Sequence, residues 1–150
     1  MLRARRRGFF KRVYEFDEDG RSLGELRQVR REGAEFAVDG EALAVQRERS
    51  KRFLLTGPGG TVATADRETH RRWVVTTKTG RLELVRPSFW RSAWELHRGG
   101  APVGRIEPEG WLNTTSHADL PADLPLAVRV FLYYVVLVQW ERANAAAAAS

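Results

Sequence analysis

Three histidines, His70, His97 and His117, are the first side chains that could do acid–base or metal chemistry here, and their spacing speaks for neither. No pair stands at H-x-x-x-H spacing, and each lies beside a turn or in a loop, so they read as three separate surface residues. No serine occupies the centre of G-x-S-x-G. The run Gly57-Pro58-Gly59-Gly60-Thr61 has the glycines of a phosphate loop without its Lys-Ser/Thr ending, and reads as a turn. Glu107 and Glu109 flank a proline and could pair for acid–base work on a strand end, although exposed glutamates are the simpler reading. With no cysteine, thiolate and disulfide chemistry are excluded. The sequence predicts no cofactor, no metal and no enzymatic activity.

Cationic side chains carry the stronger signal. The chain has a formal net charge of +6. Arg3, Arg5, Arg6, Arg7, Lys11 and Arg12 stand in a stretch without an acidic residue, and the rest of the chain carries as many basic as acidic groups. The excess is therefore concentrated in residues 1–12, where it mixes with Leu2, Phe9 and Phe10. A basic arm with apolar residues can lie on an anionic membrane, gaining ~1 kcal/mol per Lys/Arg near the surface. It can also meet nucleic-acid phosphates; a neutral body makes that the weaker reading. Two further clusters lie in the body: Arg47, Arg49, Lys51 and Arg52, and Arg67, Arg71 and Arg72 next to His70. At one end of neighbouring hairpins they could converge on a phosphorylated ligand. Solvated turn charges are the bland alternative for the clusters, and an unstructured terminus for the arm.

These residues need elements to position them. At 150 residues, 43% hydrophobic and 29% charged, the chain suits one globular domain. Glycine-bearing turns recur at short intervals, which marks an all-β meander, sandwich or barrel. Asp39-Gly40 is the strongest two-residue hairpin signal, between strands at 35–38 and 41–48. Other candidate strands are residues 11–16, 22–30, 51–56, 61–66, 73–77, 81–86, 90–97 and 103–107. Alternation puts Phe53 with Leu55, Leu82 with Leu84, and Trp90 with Trp94 and Leu96 on shared faces of half-buried strands. Residues 108–123 show no periodicity and read as a loop whose Trp111 and Leu112 plug one end of the sheet.

Residues 124–140, LPLAVRVFLYYVVLVQW, are apolar on every side and must be enclosed. The run is too long for an ordinary strand and lacks a turn residue. A membrane span would need ~20 apolar residues, and Arg129 and Gln139 bracket a shorter run. A helix buried by the preceding strands satisfies the pattern, with Pro125 at its start and Arg142 suited to the dipole at its end. The expected fold is mainly β: an antiparallel meander closing into a barrel-like sheet around a buried hydrophobic C-terminal helix. The expected division is a basic arm at 1–10, a barrel domain at 11–143 with the helix at 125–143, and an Ala-rich tail at 144–150.

The hairpin ELHRGGAPVGRIEP (95–108) and the helix approach ADLPLAVRVFLYY (122–134) resemble the tubby C-terminal-like superfamily, which includes tubby domains, LURP-one-related proteins and, by fold, phospholipid scramblases. The resemblance spans residues 12–142 and is one of architecture and hairpin rhythm. It implies a closed barrel threaded by its C-terminal helix. Family members have roughly a dozen strands, against about ten candidates here. Because tubby domains bind phosphoinositide headgroups with basic side chains, it also implies recognition of anionic lipid, without assigning a residue to the task.

The functional expectation is a non-enzymatic binding module that meets an anionic membrane surface or a phosphorylated ligand through Arg3, Arg5, Arg6, Arg7, Lys11, Arg12, Arg49, Lys51, Arg52, Arg71 and Arg72. The alternative is a protein-interaction or scaffolding domain using exposed aromatics such as Trp90 or Trp111. No apolar leader precedes the arm, so the expected location is the cytoplasm, at the membrane periphery. The Asn113-Thr114-Thr115 sequon carries no weight there.

Overall fold

The computed structural model describes residues 1–7, 12–110 and 114–150. Its strands are β1 (Leu2–Arg7), β2 (Val13–Glu18), β3 (Arg21–Val29), β4 (Gly33–Val38), β5 (Glu41–Arg47), β6 (Arg52–Gly57), β7 (Gly60–Thr69), β8 (Arg72–Thr77), β9 (Gly80–Val85), β10 (Trp94–Arg98), β11 (Ala101–Glu109) and β12 (Thr115–Asp119). Every strand pairs antiparallel with its sequence neighbours, and β1 pairs with β12, closing a twelve-stranded barrel. Closure gives every strand a hydrogen-bonded neighbour on both sides around the ring. The helix α1 (Leu126–Ala149) fills the interior.

Strand alternation builds the core. Phe53 and Leu55 on β6, Trp73 and Val75 on β8, and Leu82 and Leu84 on β9 point inward and are buried. They meet a helix whose residues from Val130 to Val138 are all buried, and a side chain so enclosed contributes about 1.5–3 kcal/mol. No helix among the described residues is long and apolar enough to cross a membrane. The helix interrupts its apolar surface only where a partner waits. Tyr133 Oη lies 2.6 Å from Ser116 Oγ. Tyr134 donates to the carbonyls of Glu32 and Gly33 at 2.8 and 3.1 Å. Arg129 donates to Glu18 and, at 3.1 Å, to the Leu124 carbonyl. Arg142 meets not only the dipole but also Glu32, with two bonds of 2.9 and 2.7 Å.

Four sequence expectations need correction. Residues 2–7 are not an arm but strand β1, whose Leu2 and Ala4 are buried while Arg3 and Arg5 face out. Residues 108–123 are not one long loop, since β12 lies within them with Ser116 and Ala118 inward. The alanines of residues 144–149 continue α1 rather than forming a separate tail. The strand expected at 90–97 begins only at Trp94; Trp90 sits in the connection before it, 96% exposed. Strands β1 and β12 account for the difference between about ten candidates and twelve. Both were obscured by polar composition: arginines crowd β1, and the inward residues of β12 are small. Lys11, Phe9, Phe10, Trp111, Leu112 and Asn113 lie outside the described residues.

Candidate functional site

In a meander barrel, alternate connections emerge at the same end. One end, the lower mouth, holds the start of α1 and the hairpin turns at Asp19-Gly20, Asp39-Gly40, Pro58-Gly59, Lys78-Thr79 and Gly99-Gly100. At the upper mouth, α1 leaves the barrel past Arg30–Glu32 and the connections at 48–51, 70–71 and 86–93. The two body clusters predicted from sequence, 47–52 and 67–72, thus share this mouth with the top of β1. Their convergence follows from the pairing of β5 through β8.

Several predicted cations are already neutralised. Arg3 pairs with Glu109 at 3.3 Å, and Arg5 with Glu15 at 3.1 Å, on the outer wall. Arg7 pairs with Glu15 and Glu25. Arg12 lies 3.5 Å from Glu141. Arg52 pairs with Glu48 and Asp66, and Arg72 with Glu83. Across adjacent strands, opposite charges face one another and cancel. The remaining predicted cations, Arg6, Arg49, Lys51 and Arg71, have no carboxylate partner among the described residues. Arg30, Arg31, Arg67, Arg86 and Arg91 join them on the same mouth. The lower mouth is mixed, with Asp39, Glu41 and Asp119 lacking a cationic partner and Arg21 and Lys78 lacking a carboxylate partner among the described residues.

Sequence reasoning missed the connection 86–93. Arg71 donates from Nε to the Arg86 carbonyl at 2.9 Å and from Nη2 to the Pro87 carbonyl at 2.7 Å. Arg86 donates to the carbonyls of Arg91 and Phe89 at 3.0 and 3.2 Å. Two arginines thus brace the loop from inside with their charges intact, and the loop presents Phe89 and Trp90 to solvent, 72% and 96% exposed. The available signal was the pair of adjacent aromatics before a buried strand, where alternation could keep only one side inward.

A cavity of about 250 Å³ opens beside this loop, against α1. Arg6, His70 and Arg86 bring positive or protonatable groups to it, and Gln139, Asn144, Thr114 and Ser92 bring neutral polar ones. Glu141 is committed to its neighbours, accepting from Tyr14 at 2.9 Å and from Gln28 at 2.9 and 3.0 Å. Burial first, then the nearby Glu141 charge, pushes the Tyr14 phenol far above its ordinary pKa, so it stays a neutral donor. Such a lining suits a small anion.

The remaining sequence candidates lie apart. His117 sits on the outer wall between Glu107 and Glu109, 3.0 Å from each, and those carboxylates also meet Arg105 and Arg3. His97 pairs with Glu95 at 2.9 Å. Gly57-Pro58-Gly59-Gly60 is the β6–β7 turn. No cluster of metal-ligating side chains occurs among the described residues. No protein-family model matches the chain, and neither the curated proteins nor the solved structures give a match.

Proposed function

We propose that this protein is a non-enzymatic binding module that docks its upper mouth on anionic membrane surfaces. One observation carries the reading: cations without carboxylate partners among the described residues line successive connections of the mouth from which Phe89 and Trp90 protrude. Each basic group near an anionic surface contributes about 1 kcal/mol, and aromatic rings favour the headgroup level. The chain would then act at the membrane periphery. Kinship with the tubby C-terminal-like superfamily is part of this proposal, supported by the twelve-stranded barrel around a C-terminal helix.

Vesicle sedimentation tests it. At low salt the full chain should pellet with phosphatidylserine-containing vesicles, stay in solution with pure phosphatidylcholine, and release as salt rises. Arg49→Glu with Lys51→Glu should abolish pelleting. Equal recovery with both vesicle types would end the proposal. The exposure of Trp90 also favours a second reading, a protein-interaction surface centred on that ring. A partner captured from an extract and lost on Trp90→Ala, yet kept by the charge-reversed variant, would support it.

A further inference from the structure

On the other side of the barrel, the ladder between β3 and β4 stops early. Its rungs are Val29↔Gly33, Gln28↔Ala34 and Arg27↔Glu35. The same register would next pair Leu26 with Phe36, Glu25 with Ala37 and Gly24 with Val38, and those rungs are not made. The cause lies in β3. Leu23 is an extra residue opposite the Phe16/Asp17 step of β2, and Gly24 follows with φ +113°. A bulge with a left-handed glycine bends its strand and increases the local twist. Strand β3 therefore follows β2 and leaves β4.

The gap is a cleft of about 310 Å³. Leu23, Leu26, Phe36 and Val38 line its walls, and Leu126 and Val130 of α1 form its floor. Its rims are polar backbone. The Gln28 N–H donates to the Arg12 carbonyl across β2, so alternation turns Arg27 and Glu25 toward β4. The two-residue turn at Asp39-Gly40 sets Val38 and Phe36 toward β5, which turns Ala37 toward β3. The N–H and C=O groups of Glu25 and Ala37 thus face each other across the cleft without a ladder partner.

We propose that this cleft accepts an extended peptide segment of a partner protein, which adds as a strand between β3 and β4. Two facing rims of backbone donors and acceptors select an occupant that carries both, as a peptide does and an acyl chain does not. Alternate side chains of the segment would point inward, and the apolar floor over Leu126 and Val130 calls for an apolar residue there.

The test uses the full chain and random heptapeptides displayed on phage, with selected peptides then measured by fluorescence anisotropy. Selected peptides should carry apolar residues at alternating positions. Ala37→Pro removes a cleft-facing N–H that no ladder uses and should weaken binding about tenfold while the melting temperature holds. Val38→Trp should fill the cleft and abolish binding. Should Ala37→Pro unfold the chain, N-methylating the peptide one amide at a time gives the reading from the ligand side, with loss at amides of both alternations, because one set faces the Glu25 rim and the other the Ala37 rim. Failure to select peptides, or peptides indifferent to Val38→Trp and to N-methylation, would overturn the proposal. So would a dansyl-labelled fatty acid that binds the chain, is lost in Val38→Trp and ignores Ala37→Pro, because the cleft would then be an acyl site.

Discussion

The guanidinium carbon of Arg71 lies 4.3 Å from the centre of the Phe89 ring. The same arginine also donates to two carbonyls of the connection that carries Phe89. One side chain from the β7–β8 turn therefore sets the shape of the β9–β10 loop. A cation over an aromatic face at such a site contributes about 0.5–1 kcal/mol, enough to bias a loop and too little to decide a fold. Arg71→Ala should accordingly leave the melting temperature within a few degrees of the parent. Its effect should appear in the steady-state fluorescence anisotropy of the indoles, which falls as Trp90 gains freedom, and in a several-fold loss of anionic-vesicle binding. Unchanged anisotropy would show that the loop does not depend on Arg71.

Glu32 fastens α1 to the upper mouth, because Arg142 and Arg47 both donate to it. Burial works to raise its pKa, but the bonds and charges of the two arginines outweigh burial and hold the carboxyl below its ordinary 4.5. A depressed carboxylate stabilises the fold above its unfolded pKa, and that stabilisation disappears as pH falls through the folded one. Glu32→Gln should therefore cost about 1–2 kcal/mol at neutral pH, a figure reduced for partial exposure, and much less in strong acid. Denaturant melts at several pH values measure the difference, and a pH-independent cost would refute the linkage.

Alkali should act through the tyrosines. Burial raises the phenol pKa values of Tyr133 and Tyr134 well above 10.0, as it does for Tyr14. The folded state keeps their protons where the unfolded chain loses them, so the stabilisation is complete below pH 10.0 and declines as pH rises beyond it. Phenolate absorbance should therefore rise together with loss of circular dichroism, in one transition. Titration of all tyrosines with the fold intact would contradict this.

Inside the barrel, Ser116 is the buried polar residue that answers Tyr133. Tyr133→Phe strips the serine of that partner and should cost about 1–3 kcal/mol. Adding Ser116→Ala should recover part of the loss, since a pair removed together leaves no orphaned hydroxyl. A double-mutant cycle by denaturant unfolding reads the coupling directly, and strict additivity would deny it.

The new role of residues 2–7 changes what truncation means. An arm could be removed without harm, whereas strand β1 pairs along both of its edges, with β12 and with β2. Removal of residues 1–7 should open the barrel, expose two strand edges and lower the melting temperature steeply, with aggregation. A truncated chain that melts like the parent would place the strand outside the cooperative unit.

Much of this architecture could be read from local pattern. The two-residue turn at Asp39-Gly40, the alternation of Phe53 with Leu55 and of Leu82 with Leu84, and the all-round apolar face between Val130 and Val138 each express a short-range rule. Together they require a sheet wrapped around a helix, because no other surface in the chain can cover that helix. Charge was also legible as clusters, and adjacent clusters on β5–β6 and β7–β8 had to share an end.

Tertiary structure alone decided which of those charges remain available. Arg3 meets Glu109 more than a hundred residues away, and Arg12 meets Glu141, while Arg49 and Lys51 meet no carboxylate among the described residues. It also assigned β1 and β12 to the wall, since each completes its hydrogen bonds only against a strand from the opposite end of the chain. And it opened the cleft between β3 and β4, where one extra residue at Leu23 and one left-handed glycine redirect a strand. The physical reason is the same throughout. Periodicity records which way a side chain points, but pairing across the ring sets what it meets, and that depends on closing the whole barrel at once.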